Sequence, residues 1–197
     1  MTLRQALDAL ERRGLVARRV GREGGTFVDE PKLELSGLAA LSDQLHGLGR
    51  QAGARVLSAV ERKPTHREVE ALGSTQAVFE IVRVRSADAS PVALERTVLP
   101  RDLFPGILDE SLEGSLYALM RERYAVVPVR AVERLEPALA RKDEALALGI
   151  ATGRPVMLVE RLAFASSGRA VELSRDVFRG DRTRVVWETE ITQRPGV

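Results

Sequence analysis

At 197 residues, 44% of them hydrophobic, the chain is long enough to bury one ordinary core with a small appendage. It has no cysteine and only two histidines, His46 and His66, which lack any ligand spacing; disulfides and thiolate metal sites are excluded and no cofactor is expected. No apolar run approaches membrane-spanning length and no signal-peptide pattern follows Met1, so the expectation is a cytoplasmic protein with no membrane partner. The net charge of +2 is unevenly placed. Residues 1–28 hold six arginines (Arg4, Arg12, Arg13, Arg18, Arg19, Arg22) against Asp8, Glu11 and Glu23, a surplus of +3 that leaves the remainder at −1. Any contact with a polyanion therefore belongs at the N-terminal end.

Thr2-Leu3-Arg4-Gln5 has the form of a capping box and predicts a helix, with Leu3, Ala6, Leu7 and Leu10 at helical spacing and Gly14 as its C-cap. Leu15 to Val20 reads as a strand, Gly21-Arg22-Glu23-Gly24-Gly25 as a turn and Thr26 to Val28 as the return strand. Asp29-Glu30-Pro31-Lys32 opens a polar linker over residues 29–37. Ala40 to Gly49 predicts a short helix with Leu41, Leu45 and Leu48 on one face. Arg55 to Arg62 alternates as a strand, and Thr65-His66-Arg67-Glu68 is a second capping box, opening a helix that ends at Gly73.

Val78 to Tyr117 is the most informative stretch. Two β-rich runs flank Ser86-Ala87-Asp88-Ala89-Ser90-Pro91, which predicts an antiparallel hairpin. Alternation places Phe79, Ile81, Arg83 and Arg85 on one face and Val78, Val82 and Val84 on the other. With a three-residue connection Arg83 falls opposite Glu95, giving a face with two forked donors and one carboxylate. Such a face suits a small polar or anionic molecule, and equally reads as a solvated face with a cross-strand ion pair. Leu103 to Leu108 is a turn. Ser115 opens a helix to about Tyr124, its hydroxyl placed either to cap that helix or to meet a ligand.

Val126 to Leu135 then reads as a strand, Arg141 to Leu148 as a helix closed by Gly149, and Gly153-Arg154-Pro155 as a turn. Val156 to Ala165 and Ala170 to Phe178 form a second hairpin, and Val185 to Thr192 a last strand. No repeat of fixed period and no low-complexity segment is present. Short helices between strands, with two clear hairpins, predict an α+β fold: an antiparallel sheet of six or so strands with helices around it.

The order of short motifs resembles a known family. Arg83, Arg85, Ala87, Asp88 and Pro91; then Glu95, Leu99 and Pro100; then Pro105 to Ile107; then Gly114 to Tyr117 are similar to the UTRA effector-binding domain, a chorismate-lyase-like fold, of GntR-type bacterial transcription regulators of the HutC subfamily. Glu172 and Ser174 match that family's E-x-S, and Asp181-Arg182 its D-R. Residues 1–28 resemble the recognition helix and wing of the GntR winged helix-turn-helix. The resemblance implies a partial winged helix over 1–28, a linker over 29–37 and a UTRA domain over 38–197. It implies effector binding by Ser42, Arg83, Arg85, Glu95, Ser115, Tyr117, Glu172, Phe178 and Arg182, and DNA binding by Thr2, Arg4, Gln5, Arg22, Gly24, Gly25 and Thr26. Phe178 and Thr183 stand where the family often has tyrosine.

The function so implied is a ligand-responsive transcription regulator, a repressor, whose partners are operator DNA, a small polar or anionic effector and a second copy of itself. The chain begins at the recognition helix, so the two helices expected before it suggest an N-terminally truncated winged helix, with DNA binding assigned to a longer parent. Two alternatives stand beside this reading: a chorismate-lyase-like enzyme, and a dimerising sensor that does not bind DNA. Against the enzyme are the helix-and-wing sequence and the lack of a Ser-His-Asp set, of a glycine loop before a lysine and of a metal cluster.

Overall fold

The computed structural model describes residues 2–12, 16–19, 21, 24–28, 32–35, 41, 45, 47, 49–74 and 76–186. The chain divides into two compact units, residues 1–35 with 182–197, and residues 36–181. In the first unit, helix α1 (Leu3–Arg12) starts where the capping box predicts. The backbone N–H of Thr2 donates to Gln5 Oε1 at 2.9 Å and that of Gln5 to Thr2 Oγ1 at 3.3 Å, so two first-turn donors are satisfied. Leu3 is 78% exposed, and Leu7 and Leu10 are half-buried. Strands β1 (Val16–Arg19) and β2 (Gly25–Val28) form the expected antiparallel ribbon, with Arg18 opposite Thr26 and Arg19 opposite Gly25.

Two elements of this unit differ from the sequence expectation. Within the stretch expected as a linker, Leu33–Leu35 is a strand, β3. The last described strand is Thr183–Val185, here β10, which begins upstream of the expected start at Val185, the rest of that expected strand lying outside the described residues; β3 and β10 pair in parallel with Thr183 opposite Leu33. The reason is long-range: the Leu33 N–H donates to the Arg182 carbonyl at 2.8 Å and the Leu33 side chain is fully buried. No local pattern carries a pairing between segments so distant in sequence. Positions beyond 186, and the expected cap at Gly14, lie outside the described residues.

The second unit is built on a six-stranded sheet in the order β4-β5-β6-β9-β8-β7, antiparallel throughout. Its strands are β4 (Ala52–Arg62), β5 (Val78–Ala87), β6 (Ser90–Pro100), β7 (Pro128–Leu139), β8 (Pro155–Ala165) and β9 (Ala170–Arg179). Helix α2 (His66–Leu72) opens on the Thr65–Glu68 capping box and closes at Gly73 in the left-handed region. Helix α3 (Leu116–Tyr124) and helix α4 (Lys142–Leu148) follow, the latter closed by left-handed Gly149. Strand β7 runs past the expected end at Leu135, through Pro137. A proline costs little there because β7 is an edge strand, whose outer backbone groups have no ladder partner among the described residues.

Helices lie on both faces, which is why β5 is buried along nearly its whole length. On one face Val82, Val84, Leu94 and Val177 pack with Ala145 and Leu148 of α4, and Val78 and Val98 pack with Leu72 of α2. On the other, Phe79, Ile81 and Leu99 pack with Leu116 and Met120 of α3 and with Phe104, Ile107 and Leu112 from the segment before it. Phe104 meets Tyr124 edge-on at 5.4 Å between ring centroids. Arg83 and Arg85 continue the same strand face as Phe79 and Ile81, so the apolar layer gives way to a charged one beside the N-terminus of α3.

The register that creates this charged layer arises differently from the sequence expectation. The hairpin turn has two residues, Asp88 and Ala89, both at positive φ (50° and 66°), not three. A bulge then follows: Ser86 pairs with Pro91 but Arg85 with Ala93, so Val92 is the extra residue and Arg83 lands opposite Glu95 after all. The turn is anchored by Asp88, which accepts from the Gln51 N–H at 2.9 Å and pairs with Arg50 at 2.8 Å. Ala89 contributes only a strained backbone. Ala89→Gly is expected to stabilise the protein by up to about 1 kcal/mol by relieving a left-handed Cβ, raising the melting temperature by about 2–4 °C in a chain of this size. A thermal melt showing no gain would contradict the assigned turn.

Candidate functional site

Three rows of side chains cross the sheet beneath the start of α3. Arg83 on β5 sits opposite Glu95 on β6, which sits opposite Asp176 on β9. One row along, Ile81 meets Thr97, Ser174 and, on β8, Arg161. On the other side of the first row, Arg85 meets Ala93 and Phe178. Strand alternation aligns Glu172, Ser174, Asp176 and Phe178 on this face. A cavity of about 30 Å³, room for roughly one water, is lined by Leu41, Arg83, Arg85, Glu95, Thr97, Ser115, Leu116, Tyr117, Arg161, Glu172 and Asp176.

Glu95 is the hub. Its Oε2 accepts from Arg83 Nη2 at 2.6 Å and its Oε1 from Arg85 Nη1 at 3.0 Å, and both arginine side chains are almost fully buried. Burial on its own would raise the Glu95 carboxyl; the charges of Arg83 and Arg85 and the hydrogen bonds they donate outweigh it and hold the group below the ordinary carboxylate value. Arg83 also donates through Nη1 to the carbonyls of Leu112 and Gly114, at 2.9 and 3.0 Å. It thereby fixes the segment that leads into α3. Arg85 reaches the other way, donating through Nε to the Gly53 carbonyl on β4 at 3.3 Å.

The opposite wall carries a second set. Tyr117 donates its hydroxyl to Glu172 Oε2 at 2.5 Å, and burial, then the charge of Glu172, push the phenol up from its ordinary value. Arg161 donates to Glu133 Oε1 at 2.6 Å. Burial works against its charge, but Glu172, Asp176 and Tyr117 overcome that and keep it protonated. Burial also raises Glu172, only partly offset by Arg161 and the tyrosine hydroxyl. Asp176 is raised well above the carboxylate range by burial and then by the negative charge of Glu95. The site therefore holds three guanidinium groups, while two of its three lining carboxyls are driven toward the neutral form. Its electrostatic balance favours an anion.

Of the effector residues expected from sequence, Arg83, Arg85, Glu95, Ser115, Tyr117 and Glu172 converge on this cavity. Ser115 caps α3, its Oγ accepting from the Ala118 N–H at 3.3 Å, and lines the cavity as well, so both of its expected roles are compatible. Phe178 is on the same face but is buried without lining the cavity, because Arg85 and Ala93 fill the row between. Arg182 belongs to the first unit, where its carbonyl receives the Leu33 N–H. Ser42 lies outside the described residues. Sequence reasoning missed Thr97, Arg161 and Asp176; the signal for Asp176 was present, since it stands between Ser174 and Phe178 in the same alternation.

In the first unit Thr2, Arg4 and Gln5 are exposed at the start of α1, and Gly24, Gly25 and Thr26 are exposed on the ribbon. Gln5 spends its side-chain oxygen on the capping box; Arg22 lies outside the described residues. Among the described residues no cluster of His, Asp and Glu could hold a metal ion, and no helix is long and apolar enough to cross a membrane.

Comparison with known proteins matches residues 47–184 to the UTRA domain. The chain is 35% identical over 187 residues to the HTH-type transcriptional repressor NagR of Bacillus subtilis (strain 168), covering 92% of this chain and 76% of the relative. It is 32% identical over 186 residues to the HTH-type transcriptional repressor PhnF of Mycolicibacterium smegmatis, covering 92% and 74%. In structure it is similar to the crystal structure of PhnF from Mycobacterium smegmatis, with a TM-score of 0.83 at 30% identity, covering 96% of this chain and 84% of that one. The relatives are regulators and not enzymes. With the domain match spanning well over half of the sequence, this chain belongs to the UTRA-domain family of GntR-type transcriptional regulators.

Proposed function

We propose that this regulator senses a small anionic metabolite in the cavity between Arg85 and Arg161, that it binds the ligand without turning it over, and that occupancy weakens operator binding by residues 1–28. The observation that carries this reading is the convergence of three buried or half-buried guanidinium groups on a cavity where Glu95 is the one lining carboxyl held well ionised. Buried ion pairs are poor stabilisers compared with apolar packing of the same volume, so such a concentration of charge beneath α3 is better explained by a ligand than by the fold. Arg83 serves chiefly as a positioning residue, since Nη1 and Nη2 are engaged by carbonyls and Glu95. Arg85 and Arg161 are the groups that a ligand anion meets, and the N-terminal amides of α3 add a favourable dipole.

Exposed Arg4, with exposed Gly24, Gly25 and Thr26 on the ribbon, supports DNA contact by the first unit. Repression is supported by the names of NagR and PhnF. The test is a thermal-shift screen of small phosphorylated and carboxylated metabolites, followed by operator titration. Arg85→Ala is expected to weaken a stabilising ligand at least about tenfold by removing charge-assisted hydrogen bonds, and that ligand is expected to weaken operator binding. A ligand that binds the Arg85→Ala chain as tightly as the wild type would reject the pocket assignment.

Pairing of readers on a palindromic operator further supports a homodimer. The edge strand β7 leaves Val129 and Val132 54% and 40% exposed, an apolar edge suited to burial against a second copy. Sedimentation is expected to give a dimer at micromolar concentration that Val129→Lys weakens. A monomer throughout would contradict this.

A further inference from the structure

The effector reading leaves one group in the cavity unused. Asp176 is 4% exposed and lines the cavity. Its Oδ2 accepts from the Ser174 hydroxyl at 3.2 Å, whereas Oδ1 is buried with no hydrogen-bond partner among the described residues. A buried carboxylate oxygen without a donor is costly, and Asp176 sits directly opposite Glu95 on the neighbouring strand, where like charges repel. The arginines direct their hydrogen bonds elsewhere: Arg83 and Arg85 donate to Glu95, and Arg161 to Glu133. The β8 neighbour in the same row is Val159, an apolar side chain at an equivalent depth. Stability alone would favour an amide or an apolar residue at this position.

An additional carboxylate has a use here only if an additional cation arrives. We propose that Asp176 Oδ1 receives a protonated amine of the effector, so that the site takes a small molecule carrying both an anionic group, held at Arg85 and Arg161, and an ammonium group. This rests on the reading of the cavity as the effector site and narrows the ligand class within it. A hydroxyl would be served by a neutral acceptor and would leave the repulsion with Glu95 in place. An ammonium removes that repulsion and supplies the missing donor to Oδ1.

The charged groups around Asp176 set the proton balance. Arg83 and Arg85 face it from β5, Glu95 from β6, Arg161 from β8, and Glu172 from its own strand; Tyr117 closes the site from α3. Burial first, then Glu95, raise Asp176 well above its ordinary value. An ammonium at Oδ1 favours the ionised form, so a proton bound by the carboxyl leaves to solvent as an N–H donor takes its place, with no bond in the ligand broken. Binding of an ammonium ligand is therefore expected to be coupled to proton release, with affinity rising with pH until the amine itself deprotonates.

The test is calorimetry of the full chain, wild type and Asp176→Asn, with pairs of ligands that differ by an ammonium in place of a hydroxyl: aspartate with malate, and O-phosphoserine with 3-phosphoglycerate. Titrations in buffers of different ionisation enthalpy report the proton. The expected result is that the ammonium member binds the wild type about tenfold tighter or better, as one charge-assisted hydrogen bond implies, and with proton release. Asp176→Asn is expected to lose both the preference and the proton release while melting about 2–4 °C higher when unliganded. Equal affinity for the two members of a pair, with Arg85→Ala abolishing both, overturns the inference and leaves the effector reading standing. So does an Asp176→Asn chain that keeps the preference, or one that melts below the wild type. Failure of every member to bind the wild type at millimolar concentration counts against both.

Discussion

One carboxylate, Glu95, half-buried between two buried arginines, ties together the parts of the larger unit that line the cavity. Through Arg83 it is joined to the Leu112 and Gly114 carbonyls and so to the start of α3; through Arg85 it is joined to Gly53 on β4. Strand β6, which carries it, pairs with both β5 and β9. Removing one member of such a set leaves an uncompensated charge in a low-dielectric layer, which is far more costly than the set is stabilising. The pocket, the cap of α3 and the packing of the segment before it therefore depend on the same few hydrogen bonds.

This dependence explains how a site of about 30 Å³ can serve a sensor. The charges of the site are largely satisfied by one another: Glu95 by two arginines, Glu172 by Tyr117, Arg161 by Glu133. A ligand anion that takes donors from Arg85 or Arg161 must loosen these internal pairs, and Arg83 links that loosening to the backbone that positions α3. On the proposed reading the site is a set of exchangeable partners, and a ligand that competes for them would bias the segments they hold.

Much of the fold was legible in the sequence because its signals are local. The capping boxes at Thr2 and Thr65, the glycines after α2 and α4, and the alternation along β5 follow from neighbouring residues. Arg83 opposite Glu95 was reached from a three-residue loop, and the same register results from a two-residue turn with a bulge at Val92, since each adds one residue to the connection. Thr97 and Asp176 were within reach of the alternation, two residues after Glu95 and Ser174 respectively on the same strand face. Arg161 was missed for a different reason. Its place in the site depends on the pairing of β6 with β9, segments separated by α3, β7, α4 and β8, and such registers are set by tertiary packing. The parallel pairing of Leu33 with Thr183 was hidden for the same reason.

The most direct test of Glu95 as the organising group is a double-mutant cycle in thermal and denaturant unfolding with Arg83→Met, Glu95→Gln and the pair. A buried, mutually dependent pair predicts single changes that are each strongly destabilising and a double change that costs much less than their sum, with a coupling of about 2–3 kcal/mol. Two effects that simply add, within about 0.5 kcal/mol, would show that Arg83 and Glu95 act independently and would contradict the account.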